Sequence, residues 1–280
     1  GYHRDLETLK RATDLLEKMV SWPELATIGK SLNAGKLTES QDLNKATEKQ
    51  QLAAVKRDGN AIEYIKNPSE AVQLAAVKRD EYAIEYIKNP SEAVQLAAVK
   101  QDGGAIQLIT DPSEAVQLAA VKQHGYAIEY IKNPSEAVQL VAVKQDGTAI
   151  RYIPDPSEKV QLAAVKRYAP AIRHIHDPSN AVQLAAVKQF GNAIQYITDP
   201  SKTIQIAVVQ QDGYAIRYIS NPNGALWTND AVKTSIIRAI LTSIKGGHEG
   251  DPRGLLMYLR EHKCPWPELD AIERSLNANR

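Results

Sequence analysis

An Asn-Pro or Asp-Pro pair recurs every 22 residues along most of this chain, and this spacing constrains the fold more than any other feature. The pairs begin at Asn67, Asn89, Asp111, Asn133, Asp155, Asp177, Asp199 and Asn221. One phrase runs between them, seen most clearly from Asn133 to Pro154 as NPSEAVQLVAVKQDGTAIRYIP. A short fixed period indicates stacked repeats, in which each unit buries its apolar face only against its neighbours.

Each repeat predicts a longer helix followed by a shorter one. In the second repeat, Asn67 suits an N-cap, Pro68 suits the first turn, and Glu70 stands three residues after the cap. The first helix is expected to continue to about Arg79. A glycine then follows in most repeats and predicts a left-handed C-cap: Gly59, Gly103, Gly125, Gly147, Gly191 and Gly213. The shorter helix, of about seven residues and partly 3₁₀ in character, is expected to end at the next proline pair.

The apolar residues of one repeat predict which helix faces are buried. From Ala71 to Val77 the first helix is apolar on most of its circumference, so we expect it to be sandwiched between other helices. In the second helix, Ala83, Ile84 and Ile87 are expected to face the core. The predicted fold is therefore an all-α, right-handed α-solenoid of about eight two-helix repeats with helical caps at both ends.

The segments outside the repeats differ from them and resemble each other. WPELATIGKSLNAGK from Trp22 to Lys36 and WPELDAIERSLNANR from Trp266 to Arg280 are copies of one pattern. Helices are also expected near residues 4–20, 230–244 and 254–262. We therefore predict an N-terminal helical cap at 1–43, an eight-repeat solenoid at 44–220 and a C-terminal helical cap at 221–280.

The repeat phrase also carries a family resemblance. The pattern AVKQDGxAIxYI, seen from Ala142 to Ile153, resembles a family of short helical repeats from bacteria and their viruses, whose function is unknown. The repeat is also similar to leucine-rich-variant and HEAT-like α-solenoids, and the Trp-Pro-Glu segments resemble another bacterial and phage repeat. The resemblance implies a solenoid fold and a bacterial or phage source, and it offers no activity to transfer.

Composition narrows the classes of partner. The chain has 34 Lys and Arg residues against 33 Asp and Glu residues, so no overall basicity points to nucleic acid or an anionic membrane. No apolar run approaches the roughly 18 residues of a membrane span. The single cysteine, Cys264, excludes an internal disulfide and fits a reducing compartment. We therefore expect a cytoplasmic protein with no membrane partner.

Lysine and glutamine each recur at one position of the repeat. The lysine row is Lys56, Lys78, Lys100, Lys122, Lys144, Lys166 and Lys188. It either follows the phosphates of a nucleic acid or an acidic partner, or consists of solvated side chains whose stems pack on the next repeat. The glutamine row, from Gln51 to Gln205, either binds a partner or bonds the backbone of adjacent repeats. Helical geometry places it about 140° from the lysines, so the two rows are not expected to form one site.

A tyrosine row and a row of varying charge occupy neighbouring positions in the second helix. The tyrosines are Tyr64, Tyr86, Tyr130, Tyr152, Tyr196 and Tyr218, with Leu108 and His174 in between. Because one repeat accepts leucine, we expect the tyrosines to pack in the core, although they could stack on single-stranded bases. The charge row is Glu63, Glu85, Gln107, Glu129, Arg151, Arg173, Gln195 and Arg217. Its change of sign suits a specific partner better than a uniform polyanion.

Catalytic and metal-binding patterns are weak. His174 and His176 form an HxH pair beside Asp177, without a clear third ligand. His248, Glu249 and Asp251 lie in a Gly-rich loop, while His262 and Cys264 lack a second ligand pair at zinc spacing. The sequence has no P-loop, dinucleotide fingerprint or nucleophile elbow. We therefore predict no enzyme activity, no cofactor and no metal.

The sequence thus favours a non-enzymatic repeat scaffold that binds a protein partner through its extended surface, with the oligomeric state left open. The candidate binding residues are Glu85, Glu129, Arg151, Arg173, Arg217, Lys78, Lys100, Lys122, Lys144, Lys166 and Lys188. The first alternative is a solenoid that binds nucleic acid through its lysines and tyrosines. The second alternative is a HEAT-like enzyme that processes DNA, which would need a carboxylate within a basic groove.

Overall fold

The computed structural model describes residues 43–244 and 250–278, and all regular structure in that part of the chain is helical. The predicted all-α solenoid of two-helix repeats is confirmed. Backbone contacts divide the chain into two compact units, residues 1–89 and residues 90–280. The predicted helix at 4–20 and the segment from Trp22 to Lys36 lie outside the described residues, and the predicted division at residues 43 and 220 stays a prediction.

Eight pairs of an α-helix and a 3₁₀-helix form the described repeats, so the shorter helix is entirely 3₁₀. In the first unit the elements are α1 (Glu48–Arg57), η1 (Gly59–Tyr64), α2 (Glu70–Arg79) and η2 (Glu81–Tyr86). In the second unit they are α3 (Glu92–Gln101), η3 (Gly103–Leu108), α4 (Glu114–Gln123), η4 (Gly125–Tyr130), α5 (Glu136–Gln145), η5 (Gly147–Tyr152), α6 (Glu158–Arg167), η6 (Ala169–His174), α7 (Asn180–Gln189), η7 (Gly191–Tyr196), α8 (Lys202–Gln211) and η8 (Gly213–Tyr218).

The α-helices begin two residues later than the Asn-Pro pairs predict. Ser113 is the N-cap of α4, and its hydroxyl accepts a hydrogen bond from the amide of Val116. The residue before the proline is not a cap, because in six repeats it adopts a positive φ of 46° to 53°. Asn and Asp tolerate this left-handed conformation better than other non-glycine residues. The pair is therefore a tight turn that leads into the serine cap.

The recurring glycines are not the predicted left-handed C-caps, since none of them has a positive φ. Each one is the first residue of a 3₁₀-helix and lies against the next α-helix along the chain. An ideal Cβ on Gly103 would stand 2.4 Å from the carbonyl oxygen of Ala120, and one on Gly125 would stand 2.7 Å from that of Ala142. Close approach of a backbone therefore explains the glycine in most repeats. Gly191 instead meets the Val208 side chain at 3.3 Å, and Glu81 and Ala169 occupy the same position in two other repeats.

The core of each unit lies between its α-helices and its 3₁₀-helices. In α4, Val116, Ala120 and Val121 are fully buried, and in η4, Ala127 and Ile128 are buried beneath them. The predicted inward positions of the shorter helix are thus confirmed. Neighbouring α-helices pack on both sides of each central α-helix of the second unit, as predicted. From α2 to α7, however, the second residue is exposed and the fifth and sixth are half-buried. One side of each α-helix therefore faces solvent.

The glutamine row is structural, and its main hydrogen bond lies within one repeat. Only Gln205 of the row is seen to bond the next Asn-Pro segment among the described residues, where its side-chain oxygen accepts from the amide of Asn223 over a distance of 2.8 Å. In α4, the side-chain amide of Gln117 donates a hydrogen bond of 2.9 Å to the carbonyl oxygen of Pro112, five residues earlier in the same repeat. The same bond recurs at Gln73, Gln95, Gln139, Gln161, Gln183 and Gln205. Each glutamine therefore fixes the turn that precedes its own helix.

Two other kinds of hydrogen bond connect consecutive repeats. The hydroxyl of Ser135, the N-cap of α5, donates a 2.5 Å hydrogen bond to the carboxylate of Glu114, which is the first residue of the preceding α-helix. At the opposite ends of the helices, the Nε of Arg167 donates to the carbonyl oxygen of Lys144, and Gln189 bonds Lys166 in the same way. The serine bond also occurs at Ser69, Ser113, Ser157 and Ser179, and the bond at the helix ends also occurs at Arg79 and Gln211.

The second unit continues past its repeats through a short 3₁₀-helix, η9 (Gly224–Leu226), into α9 (Asp230–Ile244), α10 (Pro252–Glu261) and α11 (Glu268–Ala278). The helix predicted at 230–244 is confirmed. α9 packs against α8 and η8, and α10 packs against α9. The indole of Trp266 donates a 2.8 Å hydrogen bond to the carbonyl oxygen of Trp227, which ties the Trp-Pro-Glu segment to the end of the repeats.

Candidate interaction surfaces

The lysine row lies at the ninth residue of each of the helices α1 to α7. All seven side chains are exposed, and none forms an ion pair with another described residue: Lys56, Lys78, Lys100, Lys122, Lys144, Lys166 and Lys188. Shallow grooves between neighbouring α-helices run beside them. One groove of about 590 Å³ between α5 and α6 is lined by Leu140, Leu162 and Ala163, with Lys144 and Lys166 at one side. We call this side of the repeats the α-helix surface.

The charge row lies on a different element, at the fifth residue of each 3₁₀-helix. Every one of its side chains is exposed. In the first unit it presents Glu63 and Glu85. In the second unit it presents Gln107 and Glu129. The charge at this position then changes from negative to positive or neutral in the remaining repeats, which carry Arg151, Arg173, Gln195 and Arg217. The exposed side chains at the fifth and sixth positions of the 3₁₀-helices form what we call the 3₁₀ surface.

The tyrosines were predicted to pack in the core, and this prediction was wrong. Tyr130 is 43% exposed and Tyr218 is 42% exposed, and only Tyr152 of the row is half-buried. The tyrosine is the last residue of a six-residue helix. The isoleucine after it, such as Ile131, turns into the core as the C-cap, so the tyrosine ring extends outward. The sixth position therefore adds aromatic area to the 3₁₀ surface.

Further exposed aromatic side chains were missed in the sequence. Tyr82 and Tyr126 follow the first residue of their 3₁₀-helices, and Tyr168 and Phe190 replace the aspartate that caps other 3₁₀-helices. All four are at least 39% exposed. The sequence did contain a signal for Tyr168 and Phe190. Each replaces an aspartate that caps other 3₁₀-helices, so the capping hydrogen bond is lost, and this position does not lie in the core. These residues vary between repeats, as the charge row does.

In the first unit the 3₁₀ surface is acidic. The pKa of the Tyr86 phenol is raised, mainly by the carboxylate of Glu63 and to a smaller extent by burial and by Glu85. Residues of two consecutive 3₁₀-helices are therefore close enough to interact electrostatically. Glu63, Glu85, Tyr64 and Tyr86 form one acidic and aromatic cluster.

In the second unit the structure brings basic residues of the charge row together. Burial lowers the pKa of His174, and the guanidinium groups of Arg173 and Arg151 lower it further. The guanidinium carbon of Arg151 lies 4.5 Å from the ring centre of Tyr152. The Nε of Arg173 donates a 3.1 Å hydrogen bond to Nε2 of His174. An arginine held over an aromatic ring presents its charge in a defined place.

The candidate binding residues therefore belong to two surfaces. The grooves that the lysines flank are lined by α-helical residues alone, from Leu52 to Arg79 in the first unit and from Leu140 to Gln189 in the second. Glu85, Glu129, Arg151 and Arg173 belong to the 3₁₀ surface. In the last repeat the two positions do meet, because Gln210, which replaces the lysine, lines a cavity together with Arg217.

The described histidine, cysteine and aspartate residues considered as metal ligands in the C-terminal segment have packing or capping contacts instead. His262 stacks on Tyr258 with ring centres 4.1 Å apart, and its Nδ1 lies 2.9 Å from the Tyr258 carbonyl oxygen. Cys264 is buried, and burial raises the pKa of its thiol. Asp251 caps α10, whereas His248 and Glu249 lie outside the described residues. Among residues 43–244 and 250–278, no three His, Cys, Asp or Glu side chains converge as metal ligands would.

No helix of the described segments has the length and apolar character needed to cross a membrane. Comparison with known proteins found no matching family model, no similar curated protein and no similar solved structure. The residues and their geometry are therefore the basis for a functional proposal.

Proposed function

We propose that this protein is a non-enzymatic repeat scaffold that binds a protein partner through its 3₁₀ surface. The observation that supports the proposal is that exposed aromatic rings stand next to charges whose sign differs between repeats. Aromatic residues and arginine are enriched at protein interfaces, where they contribute much of the binding free energy. In the second unit, Glu129 is followed by Arg151 and Arg173, so the partner needs complementary charges in that order.

The arrangement of the lysines supports a protein partner over nucleic acid. A single-strand binder combines a basic groove with aromatic rings on which successive bases stack. Here the lysine row lies on the α-helix surface, whereas the tyrosines lie on the 3₁₀ surface. The grooves beside Lys144 and Lys166 are lined by leucine, alanine and mostly basic side chains, and no aromatic residue lines them.

An affinity capture from nuclease-treated extract, read by mass spectrometry, tests the proposal. The test variant reverses two charges of the 3₁₀ surface, Arg151→Glu and Arg173→Glu. The control changes two lysines of the same repeats, Lys144→Gln and Lys166→Gln. We expect one or more proteins to be captured by the wild type and the control and lost by the test variant. A partner retained equally by all three would show that the 3₁₀ surface does not bind it.

Nucleic acid is the second candidate, and it is favoured by the exposure of the lysine row without ion-pair partners among the described residues. If the lysines neutralise phosphates, the log–log salt slope of affinity should be about −0.7 per contact with a single strand. Changing Lys100, Lys122 and Lys144 to Gln should then flatten the slope by about two. We expect weak oligonucleotide binding and no such change. Submicromolar, salt-sensitive binding would favour the second candidate.

The bacterial or phage source and the cytoplasmic location stay predictions from the sequence. So does the lack of enzyme activity, against which a HEAT-like DNA-processing enzyme is the alternative.

A further inference from the structure

A cavity of about 590 Å³ lies in the second unit, between the last repeat and α9. It opens where the repeat pattern ends, so the capping helix supplies one wall and the last repeat supplies the other. From α9 come Ser235, Arg238 and Thr242, and from η8 come Tyr214 and Arg217. Its volume falls within the range of about 300–1,000 Å³ typical of small-molecule sites.

Two arginines line this cavity, and neither is ion-paired with another described residue. Within the described part of the chain, neither the Arg217 nor the Arg238 guanidinium forms an ion pair or a hydrogen bond. The one carboxylate on the wall, Asp212, accepts a hydrogen bond from the amide of Tyr214 and makes no ion pair. Asp251, close to Arg217 near Gly254, caps α10 and is likewise not ion-paired. Among the residues that line the cavity, two guanidinium groups therefore stand against one carboxylate.

The remaining lining suits a flat polar ligand. Tyr214 and Tyr218 both line the cavity, and aromatic rings stack on other flat rings. The Tyr214 hydroxyl donates a hydrogen bond to the Ser243 hydroxyl, and its ring lies against Gly250, so Tyr218 is the less constrained of the two. Asn192 and Gln210 bring side-chain amides that can both donate and accept hydrogen bonds. The hydroxyls of Ser235 and Thr242 stand on the α9 wall with Arg238. Guanidinium groups match phosphate oxygens in geometry as well as charge.

We propose that this cavity binds a small phosphate ester that carries a flat ring, of the size of a mononucleotide. The phosphate is held by Arg217 and Arg238, and the ring lies against Tyr214 or Tyr218. Arg217 also belongs to the 3₁₀ surface, but Arg238 does not. A variant of Arg238 therefore tests the cavity without altering the surface proposed to bind a protein.

Isothermal titration of the full chain with adenosine monophosphate, inorganic phosphate and adenosine tests the assignment. We expect adenosine monophosphate to bind more tightly than either fragment. Arg238→Gln should weaken its binding at least tenfold, because a charge-assisted hydrogen bond is lost. The matched control, Arg151→Gln, changes an exposed arginine on η5 outside the cavity and should leave affinity unchanged.

Ala239→Phe provides an independent variant, since Ala239 lines the cavity and a phenyl ring would fill it without changing its charge. Loss of binding in this variant, with an unchanged melting temperature, would support the site. Three results would overturn it: no binding of adenosine monophosphate, equal loss in Arg238→Gln and Arg151→Gln, or inorganic phosphate binding as tightly as the nucleotide. If Arg238→Gln still captures the protein partner, the nucleotide result tests the cavity alone and does not bear on the proposed scaffold function.

Discussion

In the second unit, the α-helix surface and the 3₁₀ surface are built from the same repeat but differ in how much their residues vary from one repeat to the next. On the α-helix surface, recurring side chains connect neighbours, as when the Ser135 hydroxyl bonds Glu114 and Arg167 bonds the carbonyl oxygen of Lys144. On the 3₁₀ surface, the fifth position changes from Glu129 to Arg151 without any change in the backbone. Recurrence in this protein is therefore largely explained by stacking, and variation occurs where the stack leaves side chains unconstrained.

The largest expected effect is at a stacking glycine. Gly103→Ala would place a Cβ against the carbonyl oxygen of Ala120, a backbone atom that cannot move away cheaply. Overpacking of this kind costs about 1–3 kcal/mol, and chemical denaturation would measure it. Gly224→Ala is the control, because nothing lies within 4 Å of an ideal Cβ there. Equal losses of stability in the two variants would contradict close approach as the reason for the glycine.

A smaller effect is expected where a stacking hydrogen bond is removed. Ser135→Ala loses both the cap of α5 and the bond to Glu114, and we expect a loss of about 1 kcal/mol in the free energy of unfolding. Ser201→Ala is the matched control, since the Ser201 side chain makes no capping hydrogen bond. The double variant Arg151→Glu and Arg173→Glu should change stability by less than about 0.5 kcal/mol. If it destabilises more than Ser135→Ala, the contrast between the surfaces fails.

The smallest expected effect is a change in the titration of His174. Burial and then Arg173 and Arg151 lower its pKa in the folded state, so the folded protein binds that proton less readily than the unfolded chain. The contribution of His174 to stability should therefore decrease as the pH falls below about 6.5, its ordinary pKa. Nuclear magnetic resonance titration should show that Arg151→Gln raises the His174 pKa towards that value. A pKa unaffected by Arg151→Gln would show that the basic side chains of η5 and η6 do not interact.

Most of the repeat was predictable from the sequence because its period fixes the helices. The inward positions of the shorter helix and the helix at 230–244 were predicted correctly. The serine cap was missed because Asn-Pro and Ser-Glu signals lie side by side, and only the positive φ of the Asn or Asp residue distinguishes a turn from a cap. The glycines were misread for a related reason, since a close backbone contact with another repeat leaves no local signal.

For the candidate site, the sequence identified the varying charges correctly as exposed, but it placed the tyrosines next to them in the core. The leucine at this position in one repeat suggested a core position, whereas the 3₁₀-helix ends at the tyrosine and the isoleucine after it occupies the core. Arg217 was predicted as part of a long surface. Its position in a cavity with Arg238 could not be anticipated, because the two residues belong to elements with no shared repeat pattern.

The sequence by itself determined the number of repeats, the two helices in each and the row of varying charge, because each depends on spacing along one chain. The tertiary structure decided which rows share a surface, why glycine recurs and where a cavity opens. Those properties depend on distances between residues 17 or more positions apart, such as Gly103 and Ala120, and such distances are set by how repeats pack. A repeat pattern therefore specifies its own stacking contacts, while binding surfaces emerge only after the repeats are stacked.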